Sequence, residues 1–246
     1  SLYTGFARNK SRFDQYPSTA AKFYKTESSF YELGETWRQP DLAHTLELIQ
    51  NHGADGFYKG ENAARLADFM VDIGGLITEE DLRKYESQER EPIRGTYRGY
   101  DIVSMPPPSS GGVALVEMLN ILEGFDLAGM GHNSADYLHV LTETMRRAYA
   151  DRAEHLGDPD FNEGMPLQRL MDKDYAETLR ASIDMDEVSE SSPVGFAQIY
   201  ESEETTHFSV VDKGGNMVSM TYTLEFSYGS GIVVEGGGYL LNNELG

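Results

Sequence analysis

TTHFSVVDKGGNMVSMTYTLE, residues 205–225, carries the clearest indication of local structure in the sequence. Two runs of alternating side chains flank the turn-forming residues DKGGN, which is the pattern of a β-hairpin. If the apolar faces of the two strands coincide, an odd-length loop with a glycine bulge pairs Thr205 with Thr223 and brings Glu225 close to both. Polar side chains then share one face of the hairpin: Thr205, His207 and Ser209 on the first strand, and Thr221, Thr223 and Glu225 on the second.

Thr205 follows residues 184–204, an acidic, serine-rich segment without hydrophobic periodicity, which is typical of a linker or loop. A threonine hydroxyl that attacks the preceding carbonyl turns the peptide bond into an ester, which water then hydrolyses. The new terminal amine has a pKa of about 7.7–8.0, so it can accept the hydroxyl proton near neutral pH. The residues therefore predict self-cleavage between Glu204 and Thr205. A threonine-rich strand face is more often the solvated side of an ordinary hairpin, so the pattern alone leaves a structural role open.

Composition limits the classes of partner. The 246 residues include 41 acidic and 20 basic side chains, for a net charge of −21, which disfavours nucleic acids and anionic membranes as partners. The absence of cysteine excludes disulfides, thiolate metal sites and a cysteine nucleophile. No apolar run approaches the length of about 20 residues that spans a bilayer. Because the chain stops directly after a predicted strand, we expect it to be a piece of a longer protein.

Hydrophobic periodicity divides the chain into a helical part and a strand part. It predicts helices within residues 41–53, 61–75, 78–85, 109–125, 133–155 and 166–183, and a strand within 97–105. Strands are predicted at 205–212, 217–225, 231–235 and 239–242. Helices followed by a run of strands indicate an α+β chain.

Several motifs along the chain resemble the gamma-glutamyltranspeptidases, also called glutathione hydrolases. Besides residues 205–225, they are GADGFYKG (53–60), GGLITEEDL (74–82), YRGYDIVSMPPPSSGG (97–112), LGDPDF (156–161) and SYGSGIVVEGGGYLLNNEL (227–245). They occur in the order expected for the family and cover most of the chain. The resemblance implies an N-terminal-nucleophile hydrolase fold, an αββα sandwich of which this chain holds part.

The resemblance also implies a division of labour within the chain. Residues 1–204 match the mainly helical large subunit with an acidic linker at its end, and residues 205–246 match the start of the small subunit. Cleavage between Glu204 and Thr205 would release Thr205, which forms a gamma-glutamyl ester, while Thr223 orients its hydroxyl. Glu225 and Glu244 stand at the positions of ligands for the substrate's α-ammonium, a cation that paired carboxylates suit.

The partners implied are gamma-glutamyl donors such as glutathione, and water, amino acids or peptides as acceptors. A further partner is the missing remainder of the chain or small subunit, because the family's arginine for the substrate carboxylate and its oxyanion hole fall outside residues 1–246. We expect no cofactor, no metal, no nucleic acid and no membrane insertion, and a periplasmic or extracellular location. A cephalosporin-acylase-like or poly-gamma-glutamate-cleaving relative, or a catalytically silent unprocessed homologue, remains an alternative.

Overall fold

The structure is a computed structural model that describes residues 2–26, 29–191 and 205–244. The chain forms two compact units, one of Ser1–Ser87 with Ile199–Gly246 and the other of Gln88–Gln198. The sequence analysis assigns residues 1–204 and 205–246 to two subunits that are separated by cleavage after residue 204. The compact units describe packing and not cleavage, so this assignment stays a prediction. Glu204 and most of the predicted linker lie outside the described residues.

The first part of unit one is helical, as predicted, and adds short elements that periodicity did not indicate. Pro40 opens the helix of residues 40–52, which ends at Gly53 with a φ of 61°. Thr78 and Asp81 form a capping box at the start of the helix predicted within residues 78–85, each side chain accepting the other's backbone N–H. The elements are α1 (Leu2–Arg8), α2 (Lys10–Phe13), α3 (Pro17–Phe23), β1 (Tyr24–Thr26), β2 (Ser29–Phe30), α4 (Pro40–His52), α5 (Asp55–Tyr58), α6 (Gly60–Ile73) and α7 (Glu79–Lys84).

Unit two packs helices against a small antiparallel hairpin. Its elements are β3 (Ile93–Tyr97), β4 (Tyr100–Ser104), α8 (Gly111–Leu122), α9 (Leu127–Met130), α10 (Ala135–His155), α11 (Leu167–Leu170) and α12 (Lys173–Ala181). The single helix predicted over residues 166–183 is wrong, because Asp172 starts a new helix by accepting the N–H groups of Asp174 and Tyr175. The core of this unit gathers Ile93, Val113, Val116 and Leu170.

The decisive hairpin consists of β5 (Thr205–Val211) and β6 (Met217–Thr223), which pair antiparallel. Its predicted register is confirmed, since Thr205 lies opposite Thr223 and the loop of residues 212–216 is odd in length. Gly215, with a φ of 83°, provides the left-handed turn position. Among the described residues, both faces of the hairpin are open to solvent. Phe208 and Tyr222 on the apolar face are 40% and 56% exposed.

The second predicted hairpin is much smaller than expected. Strands over 231–235 and 239–242 are wrong in extent, because only an isolated bridge between Val233 and Leu240 forms there. Gly236 and Gly238 adopt φ values of 69° and 73° between them and close a tight turn. This turn returns the chain toward β6, where the Asn243 N–H donates to the Leu224 carbonyl.

Aromatic side chains build the core of unit one beneath the hairpin's open end. Phe13 and Phe23 stack with ring centroids 4.6 Å apart, and Tyr228 meets both rings edge-on. Thr19 ties this core to the later chain through its hydroxyl, which donates to the Gly231 carbonyl and accepts the Val233 N–H. No helix in the described ranges is both long and apolar enough to cross a membrane.

Candidate functional site

Two threonine hydroxyls meet at the open end of the hairpin. Thr205 and Thr223 are directly opposite in the register, and Thr205 Oγ1 donates to Thr223 Oγ1 over 3.3 Å. This hydrogen bond is slightly longer than the usual O–H···O distance of about 2.7–2.8 Å. The pair is thus close enough for one hydroxyl to orient the other.

The polar face continues along the hairpin away from this pair. His207 Nδ1 lies 2.7 Å from Thr221 Oγ1, and His207 Nε2 lies 3.1 Å from Ser219 Oγ. These contacts occupy the next two rungs of the same face. Thr205 therefore stands at the end of a row of paired polar side chains, where the strand begins.

A cavity of about 1240 Å³ opens beside the two threonines. Part of its wall is the aromatic core, in which Phe6 meets Trp37 edge-on at a centroid distance of 5.2 Å. The Trp37 indole N–H donates to the Lys22 carbonyl, which fixes the ring. A hydroxyl pair at the edge of a recess with an aromatic wall is a common form of a small-molecule site. The residues that line the cavity include Phe6, Trp37, Thr205, Thr223, Leu224 and Phe226.

Glu225 lies near the hydroxyl pair, although not by the route that strand alternation predicts. The strand ends at Thr223, and Glu225 turns into the left-handed region with a φ of 73°. Its backbone N–H donates to Thr223 Oγ1 over 2.8 Å, so Glu225 is joined to the pair through the main chain. The expectation that its side chain extends the polar face of β6 is therefore wrong, because the pleat stops two residues earlier.

Glu244 lies in the neighbouring loop. It is exposed, and its backbone N–H donates to Asn242 Oδ1 over 3.0 Å. Among the contacts of the described residues, its carboxylate meets neither Thr205 nor Glu225. The structure thus joins Thr205, Thr223 and Glu225 in one network, while the ligand role of Glu244 stays a prediction.

Two features of the site were not found from the sequence. Asn243 holds the Glu225 carboxylate, with its Nδ2 donating to Glu225 Oε2 over 2.6 Å. The doubled asparagine before Glu244 was the available signal, but an asparagine in a loop is ordinarily read as a turn residue. The aromatic wall depends on Phe6 and Trp37, which lie far from the hairpin in sequence and give no local signal.

The described ranges contain no group of three or more histidine, cysteine, aspartate or glutamate side chains that could hold a metal ion. The groups at the hairpin's end include the hydroxyls of Thr205 and Thr223, the Glu225 carboxylate and the Glu225 backbone amide. Such a set suits acyl transfer to a hydroxyl.

Comparison with known proteins assigns the family. The family model described as Gamma-glutamyltranspeptidase matches residues 1–246. The chain belongs to the gamma-glutamyltranspeptidase family. The Glutathione hydrolase proenzyme of Escherichia coli (strain K12) is 48% identical over 232 residues, covering 94% of this chain and 40% of that protein. The chain thus spans less than half the length of this curated relative.

Solved structures place the fold. The crystal structure of Helicobacter pylori gamma-glutamyltranspeptidase matches with a TM-score of 0.75 and 39% identity, over 82% of this chain and 58% of that one. The cephalosporin acylase of Bacillus halodurans matches with a TM-score of 0.80 and 28% identity, over 98% of this chain and 43% of that one. The predicted fold class, part of an N-terminal-nucleophile hydrolase sandwich, is confirmed by these neighbours.

Proposed function

We propose that this chain carries the nucleophile end of a self-processing gamma-glutamyltransferase or hydrolase, which cleaves the gamma-glutamyl amide of glutathione and related compounds. The observation that carries the proposal is the Thr205–Thr223 hydroxyl pair, 3.3 Å apart beside a cavity lined by aromatic side chains. Membership of the family supports the same reaction class.

In self-cleavage, Thr205 Oγ1 attacks the carbonyl carbon of Glu204, and the peptide C–N bond breaks as an ester C–O bond forms. The nitrogen takes a proton and becomes the free α-amine of Thr205. Water then hydrolyses the ester and leaves Glu204 with a carboxylate. The Thr223 oxygen accepts a hydrogen bond from Thr205, which holds the attacking hydroxyl in one direction.

In turnover, the released amine of Thr205 acts as the base. It removes the hydroxyl proton as Oγ1 attacks the gamma-amide carbonyl of the donor, and it returns that proton to the leaving amine. The resulting ester is resolved by water or by an acceptor amine. Glu225, together with Glu244, would bind the α-ammonium of the gamma-glutamyl group.

The experiment is a comparison of variants of the intact protein by denaturing mass spectrometry and by release of a chromogenic amine from a gamma-glutamyl anilide. We expect two polypeptides divided before Thr205 in the wild type, a single uncut species without turnover in Thr205→Ala, and retained cutting in Thr205→Ser. Ser209→Ala is the matched control, because it removes a hydroxyl from the same face of β5. Maturation and turnover by Thr205→Ala would overturn the proposal.

An acylase activity is the second candidate, and the match to a cephalosporin acylase structure favours keeping it. A glutaryl group has the same length as a gamma-glutamyl group but lacks the α-ammonium. Equal kcat/KM for glutaryl and gamma-glutamyl anilides in the wild type would therefore favour the acylase hypothesis over gamma-glutamyltransferase or hydrolase activity.

A further inference from the structure

Asn243 makes three hydrogen bonds to the loop that follows β6. Its backbone N–H donates to the Leu224 carbonyl over 3.1 Å, and its side-chain Oδ1 accepts the Phe226 N–H over 3.2 Å. Its Nδ2 donates to Glu225 Oε2 over 2.6 Å. One residue therefore contacts three consecutive residues of the loop.

The chemistry of these partners fixes the orientation of the Asn243 amide. A backbone N–H can only donate, so the atom facing Phe226 must be the amide oxygen. The amide nitrogen is then the atom that faces Glu225, and a carboxylate there accepts it in a short, charge-assisted bond. A flipped amide would place the amide nitrogen against the Phe226 N–H and the amide oxygen against the Glu225 carboxylate. Two donors would then face each other at one end and two acceptors at the other.

The loop needs such support, because Glu225 has a φ of 73°, a conformation that is uncommon for residues other than glycine. In this conformation the Glu225 N–H points at Thr223 Oγ1, which in turn accepts from Thr205. The Asn243 side chain binds both the Glu225 carboxylate and the Phe226 N–H. It is therefore linked to Thr205 through the Glu225 backbone N–H and Thr223 Oγ1.

We propose that Asn243 is a positioning residue for donor specificity, which holds the Glu225 carboxylate aimed for the α-ammonium of the gamma-glutamyl donor. The proposal rests on the proposed function. It deepens that function by assigning to Asn243 the selection of donors that carry an α-ammonium over those that do not.

The test replaces the donor of this bond and keeps the acceptor. Asn243→Asp is nearly isosteric and retains an oxygen for the Phe226 N–H, but it sets a second carboxylate against Glu225. Two carboxylates in contact hold one proton between them, and the pKa of the pair rises by about one unit or more. Below that pKa, Glu225 no longer offers a full charge to the donor's ammonium.

The quantity to measure is the ratio of kcat/KM for a gamma-glutamyl anilide to kcat/KM for the matched glutaryl anilide, between pH 5 and pH 9. Ionisation of the Thr205 amine cancels in this ratio, because both donors require it equally. We expect Asn243→Asp to lower the ratio about threefold or more at pH 5 and to move its rise to higher pH, mainly through KM of the gamma-glutamyl donor. Self-cleavage and the glutaryl reaction should change by less than about twofold.

Two further variants make the test specific to the pair. Asn242→Asp adds the same charge at the exposed neighbour while keeping an oxygen for the Glu244 N–H, and it should leave the ratio's pH dependence unchanged. In the double variant Asn243→Asp with Glu225→Gln, an amide again faces a carboxylate with donor and acceptor exchanged. The shift of the ratio's pH dependence should be absent from the double variant, because only one carboxylate remains in the pair.

The outcomes separate the two proposals. A ratio for Asn243→Asp that follows the Asn242→Asp curve, or equal losses with both donors, would overturn the role of Asn243 while leaving Thr205 as the nucleophile. A wild type that neither cuts itself nor turns over the gamma-glutamyl anilide would overturn the proposed function itself.

Discussion

The Glu225 backbone N–H donates to Thr223 Oγ1 over 2.8 Å, on the same oxygen that accepts the Thr205 hydroxyl at 3.3 Å. Thr223 is thereby held between the loop after β6 and the first residue of β5. These two hydrogen bonds restrict rotation of the Thr223 side chain. The position of the Thr205 hydroxyl therefore depends on Thr223, which the Glu225 N–H holds in place.

Replacing Thr223 by valine should impair both steps that use Thr205. Valine keeps the branched shape and removes the hydroxyl, so we expect a loss in kcat/KM on the order of 10²-fold and slower self-cleavage. Thr223→Ser should retain most activity. The control is Thr221→Val, one rung along the same face, and equal losses in both valine variants would contradict a specific role for Thr223.

Glu225→Gln and Glu244→Gln should each narrow the preference for gamma-glutamyl over glutaryl donors. The wild-type preference should be about 10²-fold or more, because the glutaryl donor brings no cation to a site whose carboxylates are placed to bind one. Capture of the gamma-glutamyl donor should weaken while self-cleavage remains nearly intact. The check is the ratio of kcat/KM for the two anilides, and an unchanged ratio in Glu244→Gln would remove that residue from the site.

Glu143 of α10 should stabilise unit two through its charge. The side chain is buried with Arg147 Nη1 at 2.8 Å, and the Ser189 N–H donates to Glu143 Oε1. Burial opposes ionisation, but the hydrogen bonds from Ser189 and Arg147 outweigh it and lower the pKa of Glu143 to about 2. Its contribution is therefore present above the unfolded pKa of about 4.3 and is lost as the pH falls toward 2.

The variant Glu143→Gln should accordingly reduce the free energy of unfolding by about 3 kcal/mol at pH 7, because it leaves a guanidinium without its buried partner. Near pH 3 the difference from wild type should shrink markedly. Urea unfolding at both pH values measures it, with Glu154→Gln, an exposed acid on the same helix, as the control. A difference that is independent of pH would contradict the electrostatic explanation.

Glu117 of α8 should make the folded state less stable as the pH rises, the opposite of the effect of Glu143. Burial, followed by the neighbouring Asp151 carboxylate, raises the pKa of Glu117 to about 9. The Tyr175 hydroxyl donates to Asp151 Oδ2 over 2.7 Å, on the carboxylate that neighbours Glu117. Because the folded state holds a proton that the unfolded chain releases above about pH 4.3, unfolding becomes easier as the pH rises from there toward 9.

Glu117→Gln imitates the protonated acid and should remove this dependence. Between pH 5 and pH 8 the variant should gain stability relative to wild type, by up to about 1.4 kcal/mol for each pH unit. Melting temperatures over that range provide the measurement. A constant offset between the two proteins would show that Glu117 titrates normally in the fold.

The sequence was sufficient for the register of the hairpin and for most helices, because both depend on local periodicity. Thr205 faces Thr223 because the alternation of polar and apolar side chains excludes register shifts by an odd number of residues, and the short loop selects among the registers that remain. The capping box of Thr78 and the cap by Ser134 are likewise contained in neighbouring residues. Such features require no knowledge of the distant chain.

Alternation failed where the backbone left the extended conformation. The alternation predicts Glu225 on the polar face of β6. Its left-handed backbone conformation ends the alternation, and the sequence TLE contains no glycine or other turn-forming residue that would indicate this. The cavity was beyond reach for a different reason. Phe6 and Tyr228 meet only when the two ends of the chain come together, with ring centroids 6.1 Å apart.

The contacts between the early helices and the loop after β6 have a consequence for refolding. Ser18 and Thr19 bind the carbonyls of Val233 and Gly231, partners separated by 215 and 212 positions, whereas Thr205 and Thr223 are 18 positions apart. The hairpin closes a short loop and can form early, while the contacts that complete the aromatic recess require closure of a very long one.

If the bond before Thr205 is cut, those long-range contacts join two polypeptides rather than one. Reassembly after denaturation then becomes a second-order process, whose rate depends on protein concentration, whereas the uncut Thr205→Ala chain recovers by a first-order process. A single peptide bond would thus decide whether the native structure can be regained at high dilution, and the mature protein would persist through the slowness of its unfolding rather than through reversible equilibrium.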